Sequence, residues 1–406
     1  MGSRSTRLER QLQLLVAGKS APGGINVVSA EALKKEVGAA SRSTPKDDHL
    51  YAAIRFEAGD KTLKPEELPN LAKAKDTRSQ ALFRLYTQAK VDDAAKLERT
   101  LSGNDFLDRL SRIHAREKAG AKVARDTLAN PQMVARMMAA GIGVFLGLAL
   151  GSGLLLWWAL IGRNSAPRGF PALPGPPGRE DVLAARSVQT IVVFLMTSLL
   201  GGLAIASFAQ AGTAAKSVAT LLVYAVMIAL VLLVFRLPVL GRMLSLREIG
   251  WERMRLWHVL YGCGAAVANA PLVLLMSLVG QRLFDFLPPP EHPITETLSG
   301  GGGGWVGLAV VFFLACVAAP ITEEIMFRGT MAPAMVRKYG SLWGGIVLSS
   351  LFFAAIHPTG IPAWPALATV GGMSAYLTFR TGSLMPSVAM HAFHNFCTLV
   401  LSLLIL

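Results

Sequence analysis

From about Met137 to its end the sequence is a succession of apolar runs, each near the ~20 residues that a helix needs to cross ~30 Å of hydrocarbon. Eight such runs can be marked, at approximately 137–161, 187–209, 217–240, 257–283, 304–336, 342–357, 361–379 and 384–406. Inside a bilayer every backbone N–H and C=O needs a partner within the chain, which restricts spanning segments to helices or closed barrels. Runs of this length select helices. At 52% hydrophobic and 16% charged residues over 406 positions, the chain is also too apolar for an ordinary soluble protein. The expected fold is therefore all-α: a polytopic protein of about eight transmembrane helices, multi-pass in a plasma or inner membrane.

Charge divides the chain. About 25 of the 40 Lys and Arg and about 17 of the 26 Asp and Glu precede residue 137. Residues 1–130 read as a soluble, basic, mainly helical extension, with apolar positions such as Phe106, Leu107, Leu110 and Ile113 at helical spacing. Leu8, Leu12 and Leu15 would share one face of a short helix, and Gly18–Pro45 reads as a linker. No motif of chemistry falls in this region. Met1 to Ser20 lacks the apolar core of a secretory signal, and the match of Met1-Gly2-Ser3-Arg4-Ser5-Thr6 to the myristoylation pattern is short enough to be chance. The remainder divides into residues 137–249 and a segment from 250 to 406 that holds the chemistry.

A net charge of +14 invites a nucleic-acid reading, but basic residues at the ends of membrane segments give the same total, and no nucleic-acid partner is expected. Cys263, Cys316 and Cys397 sit singly in apolar runs and read as small hydrophobes. Orientation is contradictory. Arg163, Arg168, Arg179 and Arg186, then Arg242, Arg247, Arg253 and Arg255, then Arg337 and Lys338 all fall in odd-numbered loops, yet the N-terminal region beside the first run is basic as well.

Of about nine acidic residues after residue 137, only Glu323 and Glu324 lie inside an apolar run. A charge at mid-membrane costs roughly 2.5–3.5 kcal/mol on insertion scales, so an adjacent pair needs a reason. Arg328, four residues after Glu324, shares its helical face and is the expected structural partner of that carboxylate. Glu323 points about 100° away and is left for another partner. His357, His391 and His394 lie in the sixth and eighth runs. His391 and Asn395 share a face, as do Phe353 and His357. A water between Glu323 and His357 would be deprotonated to attack a carbonyl, while His391 and Asn395 would donate to the oxyanion. His394 reads as packing.

Glu-Glu-x-x-x-Arg at 323–328, Phe-x-x-x-His at 353–357 and His-x-x-x-Asn at 391–395, with Arg380-Thr381-Gly382-Ser383-Leu384 before the last, resemble the signature of the CAAX protease and bacteriocin-processing family, which includes the Ras-converting CAAX endopeptidases and the Abi-type membrane proteins. The resemblance spans about residues 250–406. It implies an intramembrane endopeptidase acting on a lipidated or membrane-embedded peptide, with Glu323, His357, His391 and Asn395 catalytic and Glu324, Arg328 and Phe353 supporting them. Glu323, His357 and His391 would also make a plausible Zn2+ set, but the spacing is unlike His-Glu-x-x-His and Asn395 is a poor zinc ligand, so a metal-free glutamate mechanism is favoured. Two other classes compete: a non-catalytic scaffold for bacteriocin immunity or peptide binding, and an ion or proton transporter. The second predicts paired halves, and no repeat relates the first four runs to the last four.

Overall fold

The computed structural model describes residues 8–9, 11–16, 29–38, 40–91, 93–103, 105–121, 131–157, 160, 174–207, 213–252, 254–287 and 304–405. Met1–Thr6, the proline-rich stretch through Pro171 and Gly300–Gly303 lie outside them. All the named elements are helical, and the chain separates into two compact units: Met1–Gly141 with Leu404–Leu406, and Ile142–Leu403.

The first unit holds helices α1 (Ala30–Gly38), α2 (Pro45–Glu57), α3 (Pro69–Lys73), α4 (Thr77–Thr87), α5 (Ala94–Thr100) and α6 (Phe106–Lys118). Part of the stretch expected to be a linker is thus helix α1, because Leu33 and Val37, one turn apart, have a core to enter. Leu8, Leu12 and Leu15 join the same core. Pro45 at N1 and a reciprocal Thr44–Asp47 capping box fix the start of α2.

Inside this core runs a polar chain. Glu57 contacts His114 Nε2 at 2.9 Å, His114 Nδ1 lies 3.0 Å from the Tyr86 hydroxyl, and Tyr86 and His49 Nε2 meet the Ser111 hydroxyl at 2.9 and 2.7 Å. Burial, with Arg78, His114 and Lys46 adding like charge, pushes His49 down to about 3. Its pKa in the fold is below the unfolded value of about 6.5, so the native unit refuses a proton that the unfolded chain accepts. Stability is complete above about pH 6.5 and falls as the pH drops toward 3. Protection factors of amides in residues 45–118 of the full chain should decrease between pH 7 and pH 4.5, and His49→Gln should flatten that decrease.

The second unit carries the apolar helices: α7 (Pro131–Trp157, which begins in the first unit), α8 (Glu180–Ser207), α9 (Thr213–Val234), α10 (Leu256–Leu283), a long helical run α11 from Gly304 to Tyr339, then α12 (Leu342–Ala355), α13 (Trp364–Thr381) and α14 (Met385–Ile405). They fall where the eight runs were expected, but among the described residues five are long and apolar enough to cross a membrane: Met138–Trp157, Glu180–Ala206, Leu256–Leu283, Trp305–Tyr339 and Met385–Leu404. Those five make the chain an integral membrane protein. The other three are shorter or less apolar than these five. The apolar part of α9 is Val218–Val234, α12 has 14 residues, about 21 Å of helix, and α13 does not reach the apolarity of a span.

Arginines assigned to loops by sequence turn out to have other duties. Arg186 lies inside α8, fully buried, with its guanidinium donating to Val234 O and, at 2.7 Å, to Leu237 O. It therefore satisfies carbonyls at the C-terminal end of α9. Arg337 donates to Pro174 O and Gly175 O at 2.8 and 2.6 Å, and Arg179 to Met243 O at 3.0 Å. Arginines used this way say little about sidedness, which is one reason the charge count gave conflicting orientations. At the same end Leu384 N donates to Gly250 O at 2.9 Å, over a core of Leu183, Val231, Phe235, Ile249, Ile325 and Leu384.

Candidate active site

α11 is not a uniform α-helix. Gly304–Phe313 leads into a π-turn at Leu314–Ala318, an α-helical turn at Ala319–Glu324 follows, a second π-turn spans Ile325–Met331, and Ala332–Tyr339 ends the run. Single π-turns within α-helices concentrate at functional sites. The first has a cause in the sequence. Ala319 N bonds to Leu314 O, five residues back, and the next residue, Pro320, has no N–H to give. Ala315 O is left without a partner in its own helix, and the side-chain amide of Asn395 on α14 donates to it at 2.7 Å. One Asn395 amide hydrogen, expected on an oxyanion, is thus committed to closing the break in α11.

Between the two π-turns sit Glu323 and Glu324, both buried. Glu324 Oε1 is 3.3 Å from Arg328 Nη1, an i, i+4 ion pair with both side chains at or below 1% exposure. The same oxygen takes a 3.0 Å hydrogen bond from His391 Nδ1. Glu324 therefore does more than neutralise Arg328: it orients the histidine of α14. The guanidinium also lies 4.4 Å from the Phe353 ring centroid, and Gly371 on α13 leaves it room, since a Cβ there would come within 3.1 Å of Arg328 Nη2.

Phe353 is the hub of the site. Its ring stands edge-on to Phe327 at 5.4 Å and to His391 at 5.6 Å, and tilts against His357 at 4.6 Å. α12 ends at Ala355, before Pro358, so His357 lies just beyond the helix with its Nδ1 2.6 Å from Phe353 O, the carbonyl four residues back. A carbonyl only accepts, so this nitrogen carries the proton. The break before Pro358 and the two π-turns together bring the end of one helix level with the middle of another.

Glu323, His357 and His391 converge. Glu323 Oε2 is 3.7 Å from His357 Nε2 and 3.8 Å from His391 Nε2, and it has no hydrogen-bond partner among the described residues. These distances exceed a direct hydrogen bond. Each imidazole holds its Nδ1 on a fixed partner and turns its Nε2 toward the carboxylate. A carboxylate and two imidazoles are also the donor chemistry of a zinc site. His394, half-buried on α14, uses its backbone carbonyl to accept from the Thr398 hydroxyl at 3.0 Å.

All of these residues fall within one stretch that compares with known proteins. Residues 305–397 match the family model described as type II CAAX prenyl endopeptidase Rce1-like. This stretch is an Rce1-like domain. The Rce1-like domain is shorter than the 250–406 suggested by the motifs, yet it contains Glu323, Glu324, Arg328, Phe353, His357, His391 and Asn395. No curated protein and no solved structure matches the chain.

Proposed function

We propose that this protein is an intramembrane endopeptidase that hydrolyses a peptide bond of a lipid-modified or membrane-anchored substrate, a prenylated CAAX-type C-terminal peptide being the first to test. The observation that carries this reading is the unpaired Glu323 carboxylate oxygen facing two imidazole Nε2 atoms at 3.7 and 3.8 Å. One water fits such a spacing by donating its hydrogens to Glu323 and to one imidazole, which leaves its lone pairs for a carbonyl carbon. As the C–O bond forms, Glu323 takes the water's proton and the carbonyl π pair moves onto oxygen. Collapse of the tetrahedral centre breaks the C–N bond, and the leaving nitrogen takes a proton back from Glu323 or through His357. Phe353 and Glu324 hold the two imidazoles in place. The scheme needs no metal.

The test uses the full chain in phospholipid nanodiscs with a fluorogenic farnesylated CAAX peptide, alongside a comparison of newly formed peptide termini in membranes expressing wild type or Glu323→Ala. Cleavage by wild type alone is expected. Identical termini in both membranes would remove the protease reading. Exhaustive chelation should leave the rate unchanged within about twofold, whereas a loss restored by Zn2+ would overturn the metal-free scheme.

A further inference from the structure

The link between α9 and α10 has two faces. Phe235, Val239, Leu244 and Ile249 turn inward, into the core that holds Ile325 of α11 and Leu384. The outward positions interleave cationic and apolar side chains: Arg236, Leu237, Leu240, Arg242, Met243 and Arg247 are all exposed, Leu237, Leu240 and Met243 at 53%, 62% and 51%.

Leu240 is the least expected of them. Val239 N donates to Arg242 O at 2.8 Å and Arg242 N to Val239 O at 2.9 Å, which closes a two-residue turn with Leu240 at φ +50° and Gly241 at φ +69°. Tight turns with positive φ at both central residues are ordinarily built on Asn-Gly or Asp-Gly. Leucine is disfavoured there by its Cβ and, at a turn tip in water, by its apolar surface as well. Leu240 is the one non-glycine residue at positive φ among the described residues. At the boundary between headgroups and acyl chains, the second of these penalties becomes a gain.

Charge points the same way. Arg179, Arg186 and Arg337 hold backbone carbonyls, but the side chains of Arg236, Arg242 and Arg247 form no hydrogen bond or ion pair with any described residue. The carboxylates nearby in the chain are engaged, Glu248 with Arg179 and the Ser245 hydroxyl, and Glu252 with His258 at 3.2 Å. Trp257, exposed in the first turn of α10, is the residue type that marks a membrane–water interface. Free guanidinium groups among exposed apolar side chains, at the ends of two apolar helices, suit a surface of anionic headgroups over hydrocarbon.

We propose that residues 236–247 are a docking surface for anionic phospholipid, in which Leu237, Leu240 and Met243 enter the acyl boundary while Arg236, Arg242 and Arg247 bind headgroup phosphates. Lipid held there steadies the frame of the active site. Ile249 lies against Gly329 of the second π-turn, where a Cβ would come within 2.8 Å of it, and Gly250 O accepts from Leu384 N just before α14.

The test titrates the full chain, purified in a neutral detergent, with phosphatidylglycerol or phosphatidylcholine and counts bound lipid by native mass spectrometry. At about fivefold per arginine near an anionic surface, wild type should prefer phosphatidylglycerol by about 100-fold. That preference should shrink as salt rises, and the melting temperature should climb with phosphatidylglycerol and not with phosphatidylcholine. The triple variant Arg236→Gln/Arg242→Gln/Arg247→Gln should bring the preference to within about threefold of unity, and the corresponding triple lysine variant should keep most of it. Leu240→Asn, which suits a positive φ better, should retain its melting temperature in lipid-free detergent and bind both lipids about tenfold more weakly. Arg282→Gln, at an 89% exposed side chain at the far end of α10, should change nothing. A preference that survives the triple glutamine variant, or that falls equally in Arg282→Gln, overturns the proposal, as does wild-type binding by Leu240→Asn. Displacement of bound phosphatidylglycerol by glycerol 3-phosphate would reveal a phosphate site in place of a lipid surface and overturns it too. Should the triple glutamine variant fail to fold, the three single variants decide, and an unchanged preference in all of them overturns the proposal.

Discussion

Glu323→Gln should eliminate peptide hydrolysis and at the same time raise the melting temperature. The amide keeps the shape of the carboxylate but cannot accept the water's proton, and loss of a general base removes about 10²–10⁴-fold in kcat. Stability moves the other way because of what surrounds the residue. Glu324 has an arginine and a histidine, while Glu323 is 6% exposed with Oε2 unpartnered among the described residues. An unmet buried acceptor costs about 1–3 kcal/mol, more when charged, and the neutral amide relieves much of this. Opposite signs for activity and stability mark a residue kept for function. Turnover in nanodiscs and thermal unfolding of the same preparations provide the two readings. A variant that cleaves at the wild-type rate, or loses both activity and stability, would show that Glu323 is structural.

The division of labour between the two glutamates was partly legible in the sequence. Placing Arg328 four residues after Glu324 follows from helical geometry alone, and the ion pair is there at 3.3 Å. The contact of His391 with Glu324 was not legible, because it joins residues 67 positions apart and depends on how α14 faces α11. Asn395 shows the same limit. Its spacing from His391 suggested an oxyanion donor, but the orphaned carbonyl at Ala315 exists only because a π-turn and Pro320 coincide, and no periodicity reveals that. The apolar runs gave the helices, but length and apolarity single out five of them as spans, and a 14-residue helix such as α12 is apolar without having that length.

Arg328→Ala should prevent accumulation of folded protein. It leaves Glu324, at 0% exposure, as a buried charge without its arginine, and breaking one side of a buried pair costs about 3–5 kcal/mol. Loss of the guanidinium from the face of Phe353 adds to that deficit. The informative comparison is the double variant Glu324→Gln/Arg328→Met, in which both charges go and the volume stays. Replacing both partners of a buried ion pair with neutral groups is often neutral or stabilising, so the double variant should unfold in denaturant close to wild type. Its activity should still fall by about 10²-fold or more, because His391 exchanges an anionic acceptor for an amide that no longer fixes its tautomer against Glu323. Yield would then track the Arg328 charge balance and turnover the Glu324–His391 bond. If the double variant recovers full turnover along with its fold, Glu324 serves only Arg328, and His391 is positioned by packing against Phe353.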